Sequence, residues 1–154
     1  MRNNNTDGFT LIELMVTMAV IAILGSVAMV SYRSSVTKAK RSEGKTALLM
    51  LMQQEEKFYT QNNSYIVFSK ASTDASEKKF RWYSTDAANK SAYEIVATAC
   101  TGDTIQNCVL LTATPGTTNV DSNFTDPDCG KLTLTSTGVK AIVTSGTGTK
   151  ETCW

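Results

Sequence analysis

The most extreme feature of the hydropathy pattern is a long uncharged stretch near the start of the chain. Nineteen residues, 14–32, carry no charge, and a helix of that length can cross the hydrocarbon core of a bilayer. The apolar run begins earlier, at Phe9, and contains one charged residue, Glu13. The pattern therefore predicts a membrane-inserted helix that begins close to Phe9.

From Arg33 to about Asn62 the pattern changes to that of an amphipathic helix. Asn62 and Asn63 are typical of a helix end, because asparagine tolerates the left-handed backbone conformation. We expect one helix over residues 9–62, whose first half needs lipid or sister helices and whose second half needs a sheet. The predicted apolar face comprises Gly44, Ala47, Leu48, Leu51, Met52, Glu55, Phe58 and Tyr59, and the predicted polar face Lys38, Arg41, Lys45, Gln53, Glu56 and Lys57.

The rest of the chain favours β structure after a polar connection. Residues 64–91 are polar and irregular, with one short strand expected at residues 80–83. Alternating segments rich in β-branched residues then predict further strands, and Gly138 fits a hairpin turn between the last two. Three or four antiparallel strands lying on the helix give an α+β fold. The further predicted strands are residues 92–98, 108–114, 132–135 and 139–144.

All four cysteines lie between residues 100 and 153, towards the end of the chain, and histidine is absent from the sequence. An even number of cysteines in a small β-rich region is typical of a disulfide framework formed in an oxidising compartment. A four-cysteine zinc site is the alternative, but the spacing offers no C-x2-C pair. Of the three possible pairings, that of sequence neighbours is favoured, Cys100–Cys108 and Cys129–Cys153. The disulfides place this region outside the cytosol, although basic residues after residue 32 would favour the cytosolic side.

Glu13 is an unusual residue for an apolar helix, because a carboxylate inside a membrane costs about 2.5–3.5 kcal/mol at the helix centre. It could be a tolerated interfacial side chain. Cleavage between Gly8 and Phe9 would instead create an α-ammonium group one helical turn away, in the same chain or in a neighbouring copy. An ordinary secretory signal cut after Ala28 is a further alternative.

The residues Gly8-Phe9-Thr10-Leu11-Ile12-Glu13-Leu14-Met15-Val16 closely resemble the prepilin signature of type IV pilins and type II secretion pseudopilins. The resemblance implies that residues 1–8 are a leader that prepilin peptidase removes after Gly8, with N-methylation of Phe9. It also implies that Glu13 pairs with the new amino terminus during assembly. Residues 9–32 would then form the membrane and filament-core helix, and residues 33–154 a periplasmic head.

Weaker resemblances extend further along the chain. Residues 58–65 look like the end of the long helix in PilE-type minor pilins, and residues 131–139 look like the last hairpin of such heads. The spacing of Cys129 and Cys153 is similar to the C-terminal disulfide loop of type IVa pilins. Val30 stands where many major pilins have proline, which favours a minor subunit over a major pilin. Major pseudopilins usually lack such disulfides, so that alternative is disfavoured.

The resemblance implies a structural subunit that supports pilus assembly, twitching motility, adhesion or DNA uptake. Its expected partners are other pilin subunits through the N-terminal helix, prepilin peptidase, the inner-membrane assembly machinery and the lipid bilayer. It would be a single-pass inner-membrane protein before assembly and part of an extracellular filament afterwards. We expect no cofactor and no enzymatic activity, because no nucleophile–base pair, phosphate loop or metal set is recognisable, and the adjacent Glu55 and Glu56 do not face each other on a helix.

Two further sites are conceivable from the residues alone. A basic cluster in the polar connection could bind DNA or a host surface, although solvated surface lysines are the more common interpretation. The oxygen-rich loop at residues 121–128 could hold calcium, but it lacks the glycine and terminal glutamate of an EF-hand, and a plain turn is favoured. The basic cluster consists of Lys70, Lys78, Lys79 and Arg81.

Overall fold

The computed structural model describes residues 9–154, so Gly8 and the rest of the expected leader lie outside the described residues. The chain divides into two compact units, Met1–Val36 and Thr37–Trp154. Helix α1, Leu11–Asn62, contributes residues to both units.

In the first unit, α1 exposes apolar side chains in every direction. Its most apolar 18-residue window has a mean hydropathy of 2.3, and none of that window is buried within the chain. Two hydroxyl groups inside this stretch donate to carbonyls of the preceding turn, Thr17 to Leu14 at 2.9 Å and Ser26 to Ile23 at 2.7 Å. These local hydrogen bonds satisfy the two hydroxyl donors, so that the helix can lie in an apolar environment. The helix is thus long and apolar enough to cross a membrane.

In the second unit, residues 37–62 of α1 bury one face against a sheet. Leu48 is fully buried, with Ala47 and Leu51 beside it. The helix ends at Asn62, and Asn63 follows with φ of 52°, the left-handed conformation expected of a helix stop at these asparagines. The predicted amphipathic second half of the helix is therefore confirmed.

Four antiparallel strands form one sheet in the order in which they occur along the chain. Ile95, Leu111 and Leu132 lie on the face that is buried against α1. Gly138, with φ of 80°, lies between the last two strands, as the hairpin prediction requires. The α+β fold is confirmed. The strands are β1 (Tyr93–Ala99), β2 (Val109–Pro115), β3 (Lys131–Thr135) and β4 (Lys140–Val143).

Residues 63–92, which we call the connecting loop, contain short 3-10 turns at Glu77–Lys79 and Ala88–Lys90. The strand predicted at residues 80–83 is wrong. The loop meets β1 only through single bridges, Phe68 with Ala97 and Tyr83 with Glu94. Phe80 is buried and stacks on Phe68 with ring centroids 5.2 Å apart. Phe80, one of the aromatic residues that suggested a strand, thus packs the loop onto the core.

Two disulfides join sequence neighbours. Cys100–Cys108 closes the connection between β1 and β2. Cys129–Cys153 joins the segment before β3 to a short C-terminal helix, α2 (Lys150–Cys153). After α2, the indole N–H of Trp154 donates to the Ala141 carbonyl of β4 at 2.9 Å. The C-terminal segment therefore caps part of the edge strand β4.

Arg41 was predicted on the polar face of α1, and this prediction is wrong because the side chain is buried. Its guanidinium makes two hydrogen bonds to the Asp126 carboxylate, at 2.7 and 2.8 Å. The same carboxylate accepts from the Tyr93 hydroxyl at 2.7 Å and from the Cys129 N–H at 3.2 Å. This cluster ties α1, β1 and the start of the C-terminal disulfide loop together.

Candidate functional sites

The first candidate site is the start of α1. Gly8 lies outside the described residues, while Phe9 is 81% exposed just before the helix. The Glu13 N–H donates to the Thr10 hydroxyl at 3.3 Å, and the Thr10 N–H approaches the Glu13 carboxylate at 3.5 Å. This reciprocal pair is a capping box. It holds the Glu13 carboxylate at the helix start, one turn from Phe9.

Sequence reasoning missed this cap, although Thr10 and Glu13 fit the Ser/Thr-x-x-Glu/Gln signature. The carboxylate therefore has a structural partner before any new amino terminus exists. The carboxylate accepts from the Thr10 N–H just before α1, and the Thr10 hydroxyl accepts from the Glu13 N–H, one of the first-turn donors that have no partner within a helix. A second role for Glu13 must be separated experimentally from this capping role.

The second candidate site is the basic part of the connecting loop. The Lys70 ammonium lies 5.9 Å from the ring centre of Trp82, and the Arg81 guanidinium lies 5.7 Å from that of Tyr83. The two rings meet edge to face at 5.0 Å. The structure thus sets two of the predicted cations over neighbouring aromatic rings, which restricts their positions.

Lys78 and Lys79 form the 3-10 turn just before this aromatic pair, and both side chains are exposed. Asp74, just before the turn, accepts from the Ser76 N–H at 2.7 Å and from the Glu77 N–H at 3.4 Å, and these backbone hydrogen bonds lower its pKa. The Gln54 amide of α1 donates to the Lys79 carbonyl at 3.1 Å. The turn is therefore fixed to α1 while its two ammonium groups point to solvent.

Hydrogen bonds restrict part of the cationic surface. The Lys70 ammonium donates to the Asn119 side chain, whose amide donates to Glu94 at 2.9 Å. Arg81 lies 3.9 Å from the exposed Asp86. Lys78 and Lys79 form no salt bridge within the described part of the chain, so of the four cations predicted in the basic cluster these two are the most available to an anionic partner.

In the buried Arg41–Asp126–Tyr93 cluster, the charged and polar groups stabilise one another. The hydrogen bond to Asp126 raises the pKa of Arg41 despite burial. Burial alone would raise the pKa of Asp126, but hydrogen bonds from Arg41, Tyr93 and Cys129 together lower it. Burial and the bond to Asp126 raise the pKa of Tyr93. The Asp126 carboxylate is thus occupied by contacts within the protein. Residues 9–154 contain no cluster of side chains that could hold a metal ion.

Known protein families match both the N-terminal part of the chain and the head. Residues 3–29 match the model of the prokaryotic N-terminal methylation motif, which together with the fold defines a type IV pilin. Residues 30–133 match the model described as type IV minor pilin ComP, DNA uptake sequence receptor. That match covers more than half of the chain, so this protein belongs to the ComP family of type IV minor pilins.

A relative among characterised proteins is the type IV major pilin protein PilA of Myxococcus xanthus (strain DK1622), 34% identical over 80 residues. The match covers 52% of this chain and 36% of PilA, so it spans little more than a third of that relative's length. A type IV pilin structure from Shewanella oneidensis is 23% identical, with a TM-score of 0.44, covering 77% of this chain and 97% of that one.

The family resemblance in the sequence is confirmed by these matches. The chain is a structural subunit of a type IV pilus, and the family description is that of a minor pilin and not of a major one. As a pilin with an apolar N-terminal helix, it is anchored in the membrane before assembly and belongs to the pilus filament afterwards.

Proposed function

We propose that the mature subunit begins at Phe9, after prepilin peptidase has cut behind Gly8 and N-methylated the new terminus. The exposure of Phe9 immediately before α1 supports this proposal, as does the methylation-motif match over residues 3–29. Residues 1–8 are then the leader, 9–32 the membrane and filament-core helix, and 33–154 the periplasmic head.

The proposal that the chain assembles into a filament is supported mainly by the complete exposure of the apolar stretch of α1. Apolar surface of this extent is stable in lipid or among other apolar helices, but not in water. The inner-membrane assembly machinery would transfer the helix from lipid into contact with other pilin subunits. Glu13 then pairs with the methylated amine of Phe9 on a neighbouring subunit.

The cleavage proposal is tested by the mass of the N-terminal peptide from membrane-purified protein. We expect a peptide that begins with N-methylated Phe9. A mature chain that begins at Met1 or at Met29 would overturn the proposal, the second by indicating an ordinary secretory signal.

The pairing proposal is tested with Glu13→Gln and the matched control Thr10→Ala. Thr10→Ala removes the cap but keeps the charge, whereas Glu13→Gln removes the charge. Because breaking a buried ion pair costs about 3–5 kcal/mol, we expect Glu13→Gln to reduce incorporation into pili by at least about 100-fold, with membrane insertion intact. Equal incorporation of the two variants would contradict pairing and leave only the capping role.

We also propose that the connecting loop binds DNA. The description of the matched family names a DNA uptake sequence receptor, and Lys78 and Lys79 are exposed beside the Lys70 and Arg81 aromatic pairs. Exposed cations of this kind bind phosphates and release counterions. The whole chain has a net charge of only +1, so the attraction must come from this local group of cations.

The DNA proposal is tested by measuring duplex affinity against salt for the full chain in detergent micelles. Lys78→Ala/Lys79→Ala should weaken binding and reduce the slope of log Kd against log salt by about 1.8, because each phosphate contact contributes about 0.9. The control Lys131→Ala/Lys150→Ala removes two exposed lysines elsewhere on the head and should leave the slope unchanged. No binding by the unmodified chain at low salt, or equal losses in both variants, would overturn the proposal.

A further inference from the structure

A buried carboxyl group lies where α1 meets the connecting loop. Glu55 of α1 is fully buried. Its Oε2 accepts one hydrogen bond, from the Ile66 N–H at 3.1 Å. Its Oε1 has no hydrogen-bond partner among residues 9–154. A buried polar atom without a partner is costly, and an ionised one more so.

The same segment of the loop makes two further contacts near Glu55. The Tyr65 hydroxyl donates to Glu56 at 3.0 Å, and its ring stacks on Tyr59 with centroids 4.6 Å apart. The Tyr65 N–H donates to the Ile105 carbonyl at 3.3 Å. The start of the connecting loop is therefore held by a small set of polar and aromatic contacts, and among the side chains that make them Glu55 is the fully buried one.

Among residues 9–154, the charge that acts on Glu55 is that of Glu56, and no cation is placed to stabilise an ionised Glu55. The titratable groups beside it are Glu56 and Tyr59 on α1 and Tyr65 on the loop, and the strands contribute apolar side chains to this core. Arg41, the buried cation of the described head, pairs with Asp126 and lies 14 residues earlier on α1, about 21 Å along the axis. Ionisation of Glu55 would thus add an unpaired charge beside Glu56.

We propose that Glu55 is a pH-responsive anchor, which holds the start of the connecting loop when it is neutral and loosens residues 64–68 when it ionises. Opening of this segment admits water to the carboxylate and relieves its burial. The anchor does not depend on DNA binding, and it acts on the start of the loop that carries Lys70, Lys78, Lys79 and Arg81 further along.

The direction of the pH response follows from burial. Burial raises the pKa of Glu55 from 4.5 to about 7, the Ile66 hydrogen bond opposes the rise, and the Glu56 charge adds to it. Its contribution to stability is therefore fully present below about pH 4.5 and is lost as pH rises to about 7. A pKa shift of this size corresponds to a change of up to about 300-fold in the opening equilibrium.

The test uses the full chain in detergent micelles between pH 5 and 8. NMR of the Glu55 carboxyl carbon should give a midpoint near 7. Hydrogen exchange of the Ile66 amide, corrected for intrinsic chemistry, should show an opening equilibrium that increases with pH towards the 300-fold limit. The Ile95 amide, which donates to the Trp82 carbonyl at the far end of the loop, should not respond.

Matched variants separate the anchor from the general pH response of the head. Glu55→Gln should make opening at Ile66 independent of pH, while Glu56→Gln, at the exposed neighbouring position, should keep the response. A Glu55 midpoint near 4.5, or Ile66 opening that does not change with pH in the unmodified chain, would overturn the proposal. Both decisive measurements are made on the unmodified chain, so they stand even if Glu55→Gln fails to fold.

Discussion

The two parts of α1 differ in where their stability comes from. In residues 11–36 every described side chain is exposed, whereas residues 37–62 bury Ala47, Leu48 and Leu51 against the sheet. The first part carries apolar residues all round and must find lipid or sister helices outside the chain. The second part has its partners within the chain. One helix can therefore be stable in one unit of a protein and depend on assembly in the other.

This contrast allows the two regions to be perturbed separately. Both tryptophans, Trp82 and Trp154, lie in the second unit. Their fluorescence during urea unfolding in micelles thus reports on the head alone, while insertion and incorporation report on the first part of α1. Changes in the buried contacts of the head should affect the first readout and leave membrane insertion unchanged.

The largest expected effect is that of Asp126→Ala. It leaves the Arg41 guanidinium buried without its partner and removes the acceptor of Tyr93 and Cys129. We expect a loss of about 3–5 kcal/mol in the free energy of unfolding of the head, because an uncompensated charge stays buried. The control Asp128→Ala, at an exposed position two residues later, should change it by less than about 0.5 kcal/mol. Similar losses in both variants would show that the ion pair is not the cause.

Removal of the C-terminal disulfide should have the next largest effect. Cys129 and Cys153 are separated by 24 residues and Cys100 and Cys108 by 8. Chain entropy then predicts a loss of about 3.5 kcal/mol for Cys129→Ala/Cys153→Ala and about 2.5 kcal/mol for Cys100→Ala/Cys108→Ala. Urea midpoints measured with both pairs of variants check the order, and a larger loss for the shorter loop would contradict it.

The smallest expected effect on the stability of the head comes from alanine substitution at one of two glycines of α1. A Cβ at Gly44 would lie 2.8 Å from Cδ2 of the buried Tyr93 ring, whereas a Cβ at Gly25 has no described heavy atom within 4 Å. We expect Gly44→Ala to destabilise the head by about 1–2 kcal/mol, since overpacking exceeds the gain in helix propensity. Gly25→Ala should leave the urea midpoint of the head unchanged. A shift of that midpoint by Gly25→Ala would contradict the claim that the two parts of α1 are stabilised independently.

Periodicity predicted most of the secondary structure. The helix stop at Asn62 and Asn63 and the hairpin at Gly138 depend on local backbone preferences, so they were visible in the sequence. The strand boundaries were correct to about one residue for the same reason. The strand expected at residues 80–83 was wrong because its aromatic residues pack into the core through Phe80, a contact that depends on Phe68.

The buried polar groups could not be predicted in the same way. Arg41 lies on a helix face that also carries exposed lysines, and its partner Asp126 is 85 residues away in a loop. Periodicity contains no information on such a distant pairing. Glu55 was placed on the apolar face correctly, but its unpaired oxygen became apparent only when the Ile66 N–H was located. The cap between Thr10 and Glu13, by contrast, has a local signature that could have been found.

The position of Asp126 three residues before Cys129 has a mechanical consequence. Besides the apolar core, the Arg41–Asp126 pair connects α1 in the head to the start of a loop that a covalent bond closes at Cys129 and Cys153. The strands β3 and β4 lie inside that closed loop. A load on this path therefore acts on a charged pair before it reaches these strands, and the loop cannot extend past its covalent closure.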